Sequence, residues 1–254
     1  MITIFKTMVR GILRDAHTLF WNIVFPVAML CGLGLYLNHP GYAERLLAGV
    51  LAMNVLFGST MVTAFNVMAQ RNRGVYKLLR ATPFSTTAFI AAMTGARTLL
   101  ALAVSACVIL TAFLLFGVTL TAAGAAGILL ALLLGSICFT AIGFIAANLS
   151  RDESNVNMIS NLISFPMLFT SEAFYSLQNA PEWVRFIGRI QPFNYFVKAL
   201  NLSVTGGKLN GEVLTVLGVL AGFTVLSLAA ASFTFRWDAE MSSRGRTFYK
   251  TISR

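Results

Sequence analysis

The sequence predicts an all-α integral membrane protein with six transmembrane helices, on three observations: a low charged content, six long apolar runs, and basic residues sorted by side. Of the 254 residues, 57% are hydrophobic and 11% charged, and the mean hydropathy is +0.77. A soluble globule of this size normally carries about a quarter charged residues, so lipid must solvate most of this chain. The excess of 19 Lys+Arg over 9 Asp+Glu lies between apolar runs rather than on a polar surface. That distribution speaks for membrane topology rather than nucleic-acid binding.

Runs long enough to cross about 30 Å of hydrocarbon fall at 19–37, 46–69, 98–118, 122–147, 156–171 and 213–235. Counted between these spans, fourteen Lys and Arg lie on the side of the two termini and five on the other. By the positive-inside rule both termini are then cytoplasmic. No repeat, linker or soluble domain interrupts the pattern, which predicts a single membrane domain over 1–254. The N-terminus is too polar for a cleavable leader. Cys31, Cys107 and Cys138 lie in apolar runs without metal-ligand spacing.

Three segments are amphipathic rather than spanning. At 3–17, Ile4, Phe5, Met8, Val9, Ile12 and Leu13 share one helical face and Lys6, Arg10, Arg14 and His17 the other, as in a helix lying in the headgroup layer. At 72–82, Val75, Leu78 and Leu79 oppose Arg73, Lys77 and Arg80, and Pro83 ends the helix. At 172–205, Trp183, Phe186, Ile187 and Ile190 share a face, Pro192 breaks the run, and Phe193, Phe196, Val197 and Leu200 repeat the spacing. This predicts an outer re-entrant hairpin that needs shielding by protein or water.

Together these segments make the chain resemble the membrane subunits of ABC transporters of the ABC-2 type, which export drugs, lipids and polysaccharides. The resemblance rests on Leu13, Arg14 and Asp15 leading to Phe25 and Pro26; on Arg73 and Gly74 leading through Lys77 to Thr82, Pro83, Phe84 and Ser85; and on Phe165 and Pro166 followed by Ser171, Phe174, Trp183 and Gln191 to Tyr195. It implies a dimer of six-span subunits, homodimeric or heterodimeric, in the bacterial plasma membrane with two cytoplasmic ATPase subunits. Segment 3–17 would be an elbow helix, and 72–82 a coupling helix bearing Arg73, Tyr76, Lys77, Leu78, Leu79, Arg80 and Thr82. The hairpin would be an outer gate built on Glu172, Phe174, Trp183, Phe193 and Tyr195. Departures from the family pattern are Gln70, Arg71 and Asn72 where a glutamate is usual, Glu172 after Ser171 in place of glycine, and Ser176 in place of proline.

The residues themselves supply no nucleotide site. The only Gly-Lys, Gly207 and Lys208, is followed by Leu209 and lacks the phosphate-loop pattern. ATP and magnesium are therefore expected on the partner subunit, with no cofactor or metal on this chain. A proton- or sodium-coupled carrier would need ionisable groups near the midplane, and the assigned spans have none. Glu172 is expected to be solvated or paired with Arg185 or Arg189, and Arg97 to snorkel from the cytoplasmic end of the third span. A lipid-modifying enzyme would need clustered acids, histidines or a nucleophile, and none is visible.

Asn54, Asn66 and Asn161 are costly against lipid and either bond between helices or face a cavity. The pathway is predicted between spans two and five, lined by Asn54, Phe57, Met61, Asn66, Asn161, Phe165 and Leu168, and suited to an amphiphilic small molecule, with a lipid-linked glycan as the alternative. Gly218 and Gly222 form a small-residue face in the sixth span.

Overall fold

In a computed structural model of the chain, the described residues are 16–36, 42–75, 86–175, 177, 180–206 and 210–234, with Arg10 and Arg14. They form eight helices: α1 (Ala16–Tyr36), α2 (Tyr42–Asn72), α3 (Thr86–Phe116), α4 (Ala122–Leu149), α5 (Glu153–Phe169), α6 (Glu182–Ile190), α7 (Pro192–Gly206) and α8 (Gly211–Thr234). Among the described residues α2, α3, α4 and α8 are long and apolar enough to cross a membrane. Most of the elbow segment 3–17, the coupling residues Tyr76, Lys77, Leu78, Leu79, Arg80 and Thr82, and the tail 236–254 lie outside the described residues.

Helix α4 is the hub and packs on α2, α3, α5, α7 and α8. Between helices in lipid the drive is close packing and hydrogen bonding rather than the hydrophobic effect, and α4 supplies both. A Cβ on Gly143 would lie 2.5 Å from the Thr60 carbonyl oxygen, and one on Gly135 2.5 Å from the Phe196 ring. Thr60 Oγ1 donates to the Phe139 carbonyl (3.3 Å) and Thr224 Oγ1 to the Leu134 carbonyl (3.3 Å). At the centre Phe139 meets Phe193 and Phe196 with ring centroids 5.8 and 5.6 Å apart.

The chain ends its helices by local means. Gly117, at φ +63°, closes α3: its N–H bonds the Phe113 carbonyl and that of Val118 the Ala112 carbonyl, a left-handed cap open to glycine. Thr121 then caps α4 by accepting from the Gly124 N–H at 3.0 Å. Asp152 caps α5, its two carboxylate oxygens accepting from the Asn155 N–H (2.8 Å) and the Asn155 side-chain amide (2.9 Å). The backbone bond from Asn155 is the first cause holding this carboxyl below the usual carboxylate range.

A carboxyl with a depressed folded pKa contributes stability above its unfolded value, about 3.9, and loses it as pH falls through the folded value. Asn is an equally good cap without the titration. The stability advantage of wild type over Asp152→Asn should therefore shrink on acidification from about pH 5 to about pH 3. Thermal unfolding of the two proteins in one detergent reads it, and a constant difference contradicts it.

The segment after α5 is fastened to the bundle. Gln191 Nε2 donates to the Met167 carbonyl (3.0 Å), the Thr170 carbonyl (3.0 Å) and Thr170 Oγ1 (2.9 Å). Gly188 closes on the Thr170 carbonyl, and Gly49 of α2 on the Ala173 carbonyl. Pro192, preset for a first helical turn, starts α7, whose Phe193, Phe196, Val197 and Leu200 are fully buried. The apolar stripe of α7 is therefore core. In α6 the polarity is reversed: Val184 and Gly188 face the protein, while Trp183, Phe186 and Ile190 are exposed.

Candidate functional site

A partly open groove of about 630 Å³ runs between α1, α2 and α5, within the usual range for a small-molecule site of about 300 to 1,000 Å³. Helix α1 contributes Trp21, Asn22, Phe25, Pro26 and Met29; α2 contributes Val50, Met53, Asn54, Phe57 and Gly58; α5 contributes Phe165. Phe57 and Phe165 meet edge to face across it, centroids 5.6 Å apart, and Phe169 stacks on Phe165 at 6.1 Å. The walls are apolar and aromatic, with the Asn22 and Asn54 amides as the polar positions.

Asn54 is placed by a proline. Pro26 has no N–H, so within α1 the carbonyl of Asn22, four residues earlier, loses its helical donor. The Asn54 side-chain amide donates to that carbonyl at 3.3 Å, which ties α2 to α1 at the groove. Beyond this bond lies a second, smaller cavity of about 20 Å³, lined by Asn22, Asn54, Gly58, Ser59, Arg97, Leu100, Ala101 and Val104.

Of the residues expected to line a pathway, the structure brings Asn54, Phe57 and Phe165 together on this groove. Met61 and Asn66 lie further along α2, outside it. Asn161 bonds within its own helix, donating to Asn157 Oδ1 at 2.9 Å. Leu168, expected beside Phe165, instead packs into the core at 8% exposure. One turn separates them on α5, but Phe165 sits on the open flank and Leu168 under it.

The expected outer-gate residues are also divided. Phe193 is enclosed by Phe139 and Phe196 and faces no opening. Tyr195 donates its hydroxyl to the Arg189 carbonyl (2.9 Å) and packs on Phe223. Phe174 and Trp183 are exposed. Glu172 is half-buried, and its backbone N–H donates to Asn194 Oδ1 at 3.3 Å. The pairing expected with Arg185 or Arg189 is not formed among the described residues: Arg185 lies 3.7 Å from Glu182.

Arg97 departs furthest from expectation. Its side chain is enclosed in the bundle at 6% exposure rather than extended outward along α3. Arg73 is an exposed turn residue beyond α2, and Arg71 rather than Arg73 makes the firm contact there. Its Nη2 donates to Asn148 Oδ1 (2.8 Å) and its Nη1 to the Ala147 carbonyl (3.3 Å), both at the C-terminal end of α4. Sequence reasoning missed all of α1 in the groove, although Asn22, a polar residue inside an apolar run, was a usable signal.

A family model for the ABC-2 type transporter matches residues 1–204, from before α1 to the last turn of α7. No curated protein matches the chain. With most of its length matched, and with membrane-length helices packed as described, the chain belongs to the ABC-2 type transporter family and is a multi-pass membrane transport subunit.

Proposed function

We propose that the chain is the permease of an ATP-driven exporter that moves an amphiphilic small molecule out of the cytoplasm or the inner leaflet. The groove between α1, α2 and α5 carries this reading: it is large, aromatic, partly open, and has a polar group on each of α1 and α2. In the proposed assembly α1 and α5 complete six spans, and both termini are cytoplasmic in a bacterial plasma membrane. Two subunits, identical or paralogous, face each other across their grooves. ATP and magnesium bind on two copies of a separate cytoplasmic ATPase. Segment 72–82 passes the ATPase's movement to α2 and α3, and the pathway opens toward the segment that holds Glu172, Phe174 and Trp183.

Aromatic rings contribute to binding through area and ring geometry, about 0.5–1.5 kcal/mol per pair beyond burial. The Phe57→Ala, Phe165→Ala double variant should therefore lower ATP-dependent export of a fluorescent amphiphile from proteoliposomes by about tenfold, or 1.4 kcal/mol. The ATPase should still co-purify with it. Export at the wild-type rate by a well-folded double variant would remove the groove from the pathway.

A further inference from the structure

Arg97 is the twelfth residue of α3, about 16 Å along the helix axis. It is 6% exposed and lines the small cavity with Asn22, Asn54, Gly58 and Ser59. It has no hydrogen-bond or ion-pair partner among the described residues. Nor is a counter-charge near its level on a described helix. Glu44, Glu153, Glu182 and Glu212 all stand in first turns, at helix ends.

A buried charge without a partner is strongly unfavourable. Arginine cannot escape by losing its proton. Among the described residues it has no anion, and its planar fork of donors matches the oxygens of a carboxylate or phosphate. A neutral cargo would add no counter-charge; an anionic one would supply what the described residues do not.

The cavity beside Arg97 is continuous in its walls with the groove, since Asn22, Asn54 and Gly58 line both. Gly58 keeps that partition thin: even a Cβ there would find only Asn22 Oδ1, at 3.9 Å. At about 20 Å³ the cavity has room for one water, hence for one oxygen and not for a whole head group. The apolar body would lie among Trp21, Phe25, Phe57 and Phe165, with the head against Asn54.

We infer that Arg97 forms an anion subsite at the floor of the groove, so that the cargo is an amphiphile with a carboxylate or phosphate head. This rests on reading the groove as the cargo pathway. The head remains in the groove and passes one oxygen toward Arg97, displacing the water that fits there.

The test uses the full chain in nanodiscs of neutral phosphatidylcholine, so that resident lipid supplies no net anion. Trp183→Phe and Trp237→Phe leave Trp21, on the groove wall, as the fluorescent reporter. Octyl phosphate, octanoate, octanol and inorganic phosphate are titrated in turn. Both charged amphiphiles should bind at least tenfold tighter than octanol, about 1.4 kcal/mol. Arg97→Gln should erase that preference while leaving octanol unchanged, and Arg97→Lys should keep part of it.

Equal binding of octyl phosphate and octanol by wild type overturns the anion subsite and leaves the groove standing. That comparison needs no Arg97 variant, so it decides even if Arg97→Gln fails to insert. A preference that survives Arg97→Gln also overturns it. Inorganic phosphate binding as tightly as octyl phosphate makes the site one for free anions and ends the cargo assignment. A groove that takes none of the four ends both readings.

Discussion

Gly143→Leu should separate α2 from α4 and lower the thermal midpoint of the detergent-solubilised protein by roughly 10 °C. The reason is what a side chain would meet. A Cβ at Gly143 would sit 2.5 Å from the Thr60 carbonyl oxygen, 3.1 Å from that of Ser59 and 3.0 Å from the Thr63 Cβ. Two of these are backbone atoms of α2 and cannot rotate away, so the helices must move. Moving them loses the Thr60 to Phe139 hydrogen bond one turn along and opens the most extensive helix interface among the described residues. Overpacking a tight core costs about 1–3 kcal/mol, and leucine against backbone belongs at the upper end. At 2–4 °C per kcal/mol for a chain of this size, that gives the expected fall. Gly222→Leu is the control, because nothing lies within 4 Å of a Cβ there. Equal destabilisation by the two variants would show that leucine is tolerated or rejected for reasons other than this contact.

That pair of glycines marks the limit of what the sequence discloses. Gly218 and Gly222 have the four-residue spacing of a packing motif, yet both face open space in α8. Gly135 and Gly143 do the packing, because α4 is the helix enclosed on several sides. Hydropathy told which segments are apolar, and so the four membrane-length helices α2, α3, α4 and α8 were legible. It could not tell which neighbour each face would have. The same gap explains α6 and α7: their periodicity was plain, but α7 turns its apolar stripe into the core and α6 turns Trp183, Phe186 and Ile190 outward.

Helix ends were misjudged for a related reason. Charge alone does not end a helix: α3 runs eleven residues further back than Arg97, to Thr86, and packs the Arg97 side chain into the bundle at 6% exposure. Asking where a polar residue is costly singles out Asn54, and the helix faces of Asn54 and Asn161 add Phe57 and Phe165; all three line the groove. The same question put to Asn22 and Pro26 would have found α1.

Arg71→Met should loosen the end of α4 and weaken coupling to the ATPase together. Arg71 is the next-to-last residue of α2 and stands directly before segment 72–82. Its guanidinium bridges back to Asn148 Oδ1 and the Ala147 carbonyl. A cation there complements the negative end of the α4 dipole, and the Ala147 carbonyl accepts from it as well as from the Ser150 N–H. Close by, Asn72 Nδ2 lies 3.4 Å from Glu153 Oε1 in the first turn of α5. The base of segment 72–82 is thus tied to two helices, and in the proposed assembly a push on it would reach α4 and α5 as well as α2. Methionine keeps the apolar stem and removes the fork. Charge-assisted hydrogen bonds contribute about 1.5–3 kcal/mol each, so with both lost a midpoint lower by roughly 6–24 °C is expected. The discriminating measurement is a cycle with Asn148→Ala: a coupling energy of about 1–3 kcal/mol identifies the bond, and simple additivity dismisses it. Lysine at this position should recover little, since a point charge cannot span both acceptors. If the tie also transmits force, ATP-driven export by Arg71→Met should fall more steeply than ATP hydrolysis by the same complex, at temperatures where both proteins are folded. A parallel decline of the two rates would leave Arg71 with a structural role alone.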